Sequence, residues 1–235
     1  MIRLDKLLSH KGYGSRKEVK QLIRKGYVFV NDQVVYDDDF RVNEEKDFVT
    51  IMDEEVTYSK YVYYMMNKPK NVVSATFDFH KDTVIDLMGY LAKQKIFPVG
   101  RLDIDTEGLL LITNDGKLAH NLLSPKKHVD KVYYVEFKGE YKQEYTSMFE
   151  KGIIIDDGYV CKPASFELLS SSSGNITIHE GKFHQVKRMF LALGMEVTYL
   201  KRIKFGSLKL DESLPKGEFR ELTAEESESL KAYNL

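Results

Sequence analysis

The stretch Gly100-Arg101-Leu102-Asp103-Ile104-Asp105-Thr106-Glu107-Gly108-Leu109-Leu110-Leu111-Ile112-Thr113-Asn114-Asp115-Gly116 decides how the chain is read. Charged residues gather between two glycines, and four apolar residues then run into an Asn-Asp-Gly turn. A short apolar run bounded by turn signals predicts a strand buried on both faces. Such a strand is rigid, so it holds the charged loop before it in place, and chemistry is expected at its mouth. Asp103 is the candidate carboxylate, because it follows Arg101 and Leu102 at that mouth; Asp105 and Asp115 suit turn duties. An arbitrary loop aspartate is more often a cap than a catalyst, so Asp103 needs partners elsewhere in the chain.

Upstream of this stretch, residues 61–66 predict a strand that ends at Asn67-Lys68-Pro69, where proline favours a turn. Apolar spacing at Val84, Ile85, Leu87, Met88 and Leu91 predicts a short helix. Downstream, residues 118–123 read as a helix, the alternation in 131–137 as a strand, 141–151 as a helix, and 170–175 as a polar hairpin loop. Ile176-Thr177-Ile178 then leads through His179-Glu180-Gly181-Lys182-Phe183-His184-Gln185 into a helix whose buried side is marked by Val186, Met189, Phe190 and Leu193. Two strands near 197–200 and 207–210 follow, with a last helix capped by Thr223 and Glu226. Strands with interspersed helices and no regular alternation predict an α+β fold.

The 235 residues, 43% hydrophobic and 30% charged, suffice for a sizeable core and argue against global disorder. No apolar run reaches membrane-spanning length and residues 1–6 lack a signal-peptide core, so the protein is expected in the cytoplasm, away from membranes. The single cysteine, Cys161, excludes an internal disulfide framework and a clustered-thiolate zinc site, and no histidine pair has metal-binding spacing. Neither a metal nor a cofactor is expected. The net charge of −1 conceals a polarity: residues 1–26 hold eight basic residues against two acidic, and residues 37–55 hold nine acidic against two basic. A basic segment of that kind invites polyanions, although a solvated helix face produces the same pattern.

Within that segment Leu4, Leu7 and Leu8, and then Val19, Leu22 and Ile23, recur at helical spacing around Gly12-Tyr13-Gly14. Ser15 and Glu18 form a capping box for the second helix, Gly26 suits its C-terminal end, and Val28-Phe29-Val30 and Val34-Val35-Tyr36 flank an Asn31-Asp32 turn. Arg3-Leu4-Asp5-Lys6-Leu7-Leu8, Ser15-Arg16-Lys17 and Gly26-Tyr27-Val28-Phe29-Val30-Asn31 resemble the S4 RNA-binding domain. That resemblance implies binding of structured RNA through the two basic helices, with Arg3, Lys6, Ser15, Arg16, Lys17 and Lys20 as candidate contacts. The expected division is residues 1–58, this module with an acidic linker, and residues 59–235, a second domain.

The second domain contributes three residues that matter together. A lone carboxylate acts covalently on a sugar when a cation keeps it ionised in a dry pocket, and an aromatic residue with a polar tip stacks on a base. Gly100-Arg101-Leu102-Asp103 with Thr106 and Gly108, Lys131-Val132-Tyr133, and Glu180-Gly181-Lys182-Phe183-His184-Gln185-Val186-Lys187-Arg188-Met189 resemble the RsuA family of ribosomal RNA pseudouridine synthases. Asn67-Lys68-Pro69, Leu200-Lys201-Arg202 and Gly206-Ser207-Leu208 extend the match along nearly the whole chain. The resemblance implies a mixed, mostly antiparallel sheet with a central cleft. It makes Asp103 the catalytic aspartate, Tyr133 the active-site tyrosine and Lys187 the basic partner of the aspartate. Arg101, Asn67, Lys68, Arg188 and Arg202 become candidate RNA contacts.

The implied reaction isomerises a uridine to pseudouridine: the nucleotide is flipped out of the RNA, the bond from C1′ to N1 is cleaved, and uracil rotates to bond through C5. Attack by Asp103 on C1′, attack on the ring, and abstraction of a ribose proton all fit the same aspartate. Segments 124–133, 76–78 and 82–84 look more like the small-subunit enzyme than its large-subunit relatives. The expected partner is therefore 16S ribosomal RNA, naked or in an assembly intermediate, modified by a monomer at uridine 516. The alternatives are the same reaction on 23S RNA and a non-catalytic RNA-binding ribosome-assembly protein. A hydrolytic glycosidase needs a second, water-activating carboxylate, for which only Glu107 or Asp105 is at hand.

Overall fold

The computed structural model describes every residue except 44–45, 57–60, 125–126, 235 and the side chain of Asn234. The chain divides into two units, Met1–Tyr61 and Val62–Leu235; the boundary expected near Ser59 lies outside the described residues.

In the first unit, β1 (Ile2–Arg3) leads directly into α1 (Leu4–His10), and α2 (Arg16–Arg24) follows. Ser15 caps α2 through the reciprocal bonds of the predicted box, its Oγ accepting from the Glu18 amide. β2 (Val28–Val30), β3 (Gln33–Val34), β4 (Arg41–Val42), β5 (Val49–Ile51) and β6 (Glu54–Glu55) complete it. The sheet runs β3-β2-β5-β6, β1 pairs with β4, and Leu4, Leu7, Leu8, Val19, Ile23, Val28 and Ile51 form the core. The strand predicted over 34–36 is cut to Gln33–Val34.

The second unit is built on β7 (Tyr63–Lys68), β8 (Phe97–Pro98), β9 (Glu107–Thr113), β10 (Lys131–Lys138), β11 (Ser165–Ser170), β12 (Ser173–Ile178), β13 (Glu196–Phe205), β14 (Leu208–Lys209) and β15 (Phe219–Glu221). The order is β11-β12-β10-β13-β9-β7-β15, with β14 on β13 and β8 on β9. Only the β13 to β9 pairing is parallel among the described strands, so the sheet is mixed and mostly antiparallel, within an α+β fold.

β9 is buried at all seven positions, as its apolar run predicts. Alternation sends Leu110 and Ile112 to one core and Leu109 and Leu111 to the other. The first core takes Phe149 from α4 (Glu144–Lys151) and Val186, Met189 and Phe190 from α5 (Gln185–Ala192), with Phe166 between them. The second takes Leu118 and Leu122 from α3 (Gly116–Leu123) and Leu230 from α6 (Ala224–Lys231).

Four predicted elements differ in form. The helix expected over 84–91 is a 3₁₀ segment, Asp86–Gln94, broken at Gly89, whose φ of 56° no helix accommodates. The polar loop 170–175 shrinks to a tight turn, because Ser173–Ile178 all pair as strand. The strand near 197–200 extends to Phe205, and α4 starts only at Glu144. Ladder pairing with β10, which is distant in sequence, carries β13 on to Phe205, where the turn at Gly206 ends it.

Where β9 begins beside β13, Gly108 has φ of 100° and an added Cβ would lie 2.3 Å from the Arg202 carbonyl oxygen. Gly108→Ala is expected to cost about 3 kcal/mol, combining left-handed strain with a backbone clash. Urea unfolding of the two chains measures it, and equal midpoints would refute this role for the glycine.

Candidate active site

β7 runs through Asn67 and Lys68 rather than stopping before them, and this carries both side chains inside. Lys68 is completely buried, and its Nζ donates to the carbonyls of Pro69 (2.9 Å), Asp103 (3.1 Å) and Thr106 (3.0 Å). Burial pushes the ammonium down to about 8, against the pull of Asp103, Asp105 and Glu107. On the other side of the loop, Ser74 Oγ accepts from the Leu102 amide and donates to its carbonyl. The backbone around Asp103 is thus clamped from two directions. Asn67 donates to the Leu214 carbonyl at 2.8 Å. The candidate RNA contacts Asn67 and Lys68 are thus buried, Lys68 as a support of the Asp103 loop and Asn67 as a support of the backbone at Leu214.

Asp103 opens into a cavity of about 70 Å³ that Tyr133 also lines, with Leu102, Ile178, Val186 and Leu200 as apolar wall. Tyr133 reaches it from β10, and its hydroxyl has no partner among the described residues. The Thr106 hydroxyl, buried in the same lining, is likewise unpartnered.

Lys187 arrives from the first turn of α5, with Nζ 3.4 Å from Asp103 Oδ2. It lies closer to Asp105 Oδ1, at 2.6 Å, so the expected pair exists as a shared one. Burial alone would raise the Asp105 carboxyl, but the hydrogen bond and charge of Lys187, with smaller help from the backbone and His184, together hold the group below the ordinary range. Asp105, read from sequence as a turn residue, is therefore a second holder of the lysine. His184 Nε2 stands 3.7 Å from Asp103 Oδ1, in a left-handed conformation and stacked on Phe183. The turn that sets it is held by buried Glu180, which accepts from Tyr159 Oη, the Lys162 amide and Gln185 Nε2. Sequence reasoning singled out neither His184 nor Thr106 as a site residue; both stand inside the quoted motifs, but only the folded loops reveal where they point.

The remaining cations behave differently from one another. Arg101 is exposed at the cavity and unpaired among the described residues. Arg188 turns away to Asp156 and Asp157. Arg202 is buried, its Nε donating to the Leu109 carbonyl at 2.8 Å, so it is no part of the exposed surface. Glu107 is taken by Tyr199 (2.6 Å) and Lys216 (2.8 Å) and does not line the cavity, so it supplies no water-activating carboxylate there.

In the first unit, buried Asp5 accepts from Arg3 and Arg16, and Lys20 Nζ lies 3.7 Å away. Burial opposes the charge on Asp5, yet the two guanidinium bonds win and hold its carboxyl at about 2. Arg3, Arg16 and Lys20 are thus partly committed to an internal carboxylate, and Ser15 to its cap. Lys6 and Lys17 remain exposed and unpaired among the described residues, the freest cations for a polyanion.

Comparison with known proteins agrees with this geometry. Residues 62–192 match the RNA pseudouridylate synthase family and residues 2–49 the S4 domain. The chain is 50% identical to an uncharacterized RNA pseudouridine synthase, YtzG, of Bacillus subtilis, covering 96% of each. It is 40% identical to ribosomal small subunit pseudouridine synthase A of Vibrio cholerae, over 97% of this chain and 99% of that one. With ribosomal large subunit pseudouridine synthase B of Bacillus subtilis it shares 39% identity, over 99% and 96%. A crystal structure of a pseudouridylate synthase superposes with a TM-score of 0.69 at 37% identity, covering 98% of this chain and all of the other.

Two outcomes follow from the buried ions. Lys68→Met should lower turnover at least tenfold and stability by about 1–3 kcal/mol while RNA affinity stays near wild type, because it strips the donor from three loop carbonyls; single-turnover kinetics beside filter binding test this, and full turnover would contradict it. Asp5, whose folded carboxyl is depressed from 3.8 to about 2, contributes stability that is complete above pH 3.8 and lost as pH falls through 2, worth about 2 kcal/mol. Hydrogen exchange of α1 and α2 should show that acid loss in the wild type and its absence in Asp5→Asn.

Proposed function

From the premise that the chain belongs to the RsuA family of RNA pseudouridine synthases, we propose that it converts one uridine of 16S ribosomal RNA, uridine 516, to pseudouridine, with Asp103 as catalyst. Asp103 and Tyr133 lining one small cavity, with Lys187 Nζ 3.4 Å behind the Asp103 carboxylate, carry this reading.

In that role Asp103 promotes cleavage of the bond between C1′ and N1. The apolar wall of Leu102, Ile178, Val186 and Leu200 excludes water, so the freed uracil rotates and bonds through C5 instead of being lost to hydrolysis. Lys187 keeps the carboxylate charged in a place where desolvation opposes charge. Tyr133 stacks on the base and relays the proton lost from C5, its free hydroxyl accepting that proton as it passes its own on towards N1, which is protonated in the product, and Thr106 offers the base a hydrogen bond. Arg101, exposed beside them, helps hold the extruded nucleotide's place or its phosphate. Unstacking a nucleotide costs a few kcal/mol, which phosphate contacts by cations such as Lys6 and Lys17 offset.

The preference for 16S over 23S RNA rests on the segments that resemble the small-subunit enzyme. One of them forms a loop closed by Val73 and Thr83, whose tip exposes Phe77 and Phe79 edge to face at 4.8 Å, a surface suited to unpaired bases. Another, 124–133, includes Pro125 and Lys126, which lie outside the described residues. The non-catalytic reading is disfavoured because a protein that only binds RNA has no need of a carboxylate clamped beside a lysine in a dry pocket.

Chemical mapping of pseudouridine in both ribosomal RNAs, with and without the protein, tests the target. Asp103→Asn should abolish the product while RNA affinity stays within about twofold, the loss of one charge at a site otherwise unchanged. Pseudouridine formed by that variant, or a site found in 23S RNA alone, would overturn the corresponding part of the reading.

A further inference from the structure

Beside the Asp103 cavity lies a second, larger one of about 560 Å³, lined by Ser74, Arg101, Lys131, Tyr133 and Arg202 among others. It shares Arg101, Tyr133 and Gly181 with the first, so the two open onto one another. Three of its lining residues are cations, and no carboxylate stands among its described lining residues.

Arg202 carries most of the weight. It is 2% exposed, its Nε is used by the Leu109 carbonyl, and its Nη2 is buried with no hydrogen-bond partner among the described residues. An arginine N–H left unsatisfied in the interior is costly, and such groups in native proteins mark a ligand, an ion or a water. Lys131 stands two residues before Tyr133 on the same face of β10, and Tyr133 pairs in register with Arg202 of β13. Its Nζ donates to the Val129 carbonyl at 3.1 Å and keeps further N–H groups to offer. Burial, and then the nearby Arg202, lower its pKa to about 8, and Asp130 and Glu180 offset this only in part, so two like charges are confined together in a cavity that no described carboxylate lines. Ser74, by contrast, spends its hydroxyl on Leu102 and is no donor here.

We propose that this second cavity is a binding site for a single phosphate group, occupied in the complex by the RNA backbone phosphate that adjoins the extruded nucleotide. The guanidinium of Arg202 and the ammonium of Lys131 hold it from inside, and Arg101 closes on it from the exposed side. An anion there satisfies Nη2 and relieves the repulsion between the two buried cations, so binding energy is gained only when a nucleotide has been drawn into the adjoining pocket. The RNA identity of the phosphate rests on the pseudouridine synthase reading; the anion site itself does not.

Two arms separate these. In the first, chloride is replaced by inorganic phosphate at equal ionic strength, and thermal unfolding of the full chain is followed for wild type, Lys131→Gln and Lys131→Arg. Phosphate should raise the midpoint of wild type and Lys131→Arg more than that of Lys131→Gln; equal rises overturn the anion site, whatever RNA the protein modifies. In the second, RNA binding is measured against salt, and single methylphosphonate linkages are placed on either side of the target uridine. Lys131→Gln should bind roughly tenfold more weakly with a salt slope reduced by about 1, Lys131→Arg should restore both, and the one neutral linkage that weakens wild-type binding should no longer weaken Lys131→Gln. An unchanged slope with additive linkage effects overturns the RNA assignment even if inorganic phosphate binds. Failure of the wild type to form pseudouridine strikes the functional reading and leaves the first arm to decide the cavity.

Discussion

The Lys68 ammonium, buried and shared among the carbonyls of Pro69, Asp103 and Thr106, is the contact on which the site depends. It joins the end of one central strand to the loop that enters the next, and so converts the connection over residues 99–106 into a fixed platform. A buried ammonium persists only where several oxygens replace its water, and a loop brings two carbonyls to join that of Pro69 around one point only if its backbone is bent to suit. Each therefore determines the other. Ser74 completes the clamp from the opposite side, and the Asp103 carboxylate is left as the part of the loop free to meet a substrate.

Around that platform the charges are arranged by competition. Lys187 stands between Asp103 and Asp105 and lies nearer the latter, so the catalytic candidate is paired more loosely than its neighbour. A carboxylate held too tightly by a cation is a poor nucleophile or base, and a second carboxylate that takes part of the lysine leaves the first less tightly held. The same economy appears in the first unit, where Asp5 engages Arg3 and Arg16 and leaves Lys6 and Lys17 outside. In both units the cation that a sequence suggests as a ligand contact is first a partner for a carboxylate of the chain itself.

The platform is rigid because β9 behind it is enclosed on both faces. Leu109 and Leu111 pack against α3 and α6 residues, while Leu110 and Ile112 pack into the aromatic core that also anchors α5. Displacing the strand would disturb both cores at once. Gly108 marks the point of closest approach, where β9 turns parallel to β13 and brings the site's loop beside Arg202.

The double-sided burial of residues 109–112, the capping boxes at Ser15 and Thr223, the α+β class and the trio Asp103, Tyr133 and Lys187 were all legible in the sequence. These rest on local periodicity, on caps three residues apart, or on motifs long enough to be distinctive. Only the tertiary structure decided that Lys68 and Arg202 point inward, that Asp105 shares Lys187, and that His184 and Thr106 face the cavity. Lys68 and Arg202 look like surface cations in one dimension, because their oxygen partners are backbone carbonyls, which no residue type announces. Where a charged side chain finds its counterpart in the main chain of a distant segment, sequence supplies the charge and the fold alone supplies its environment.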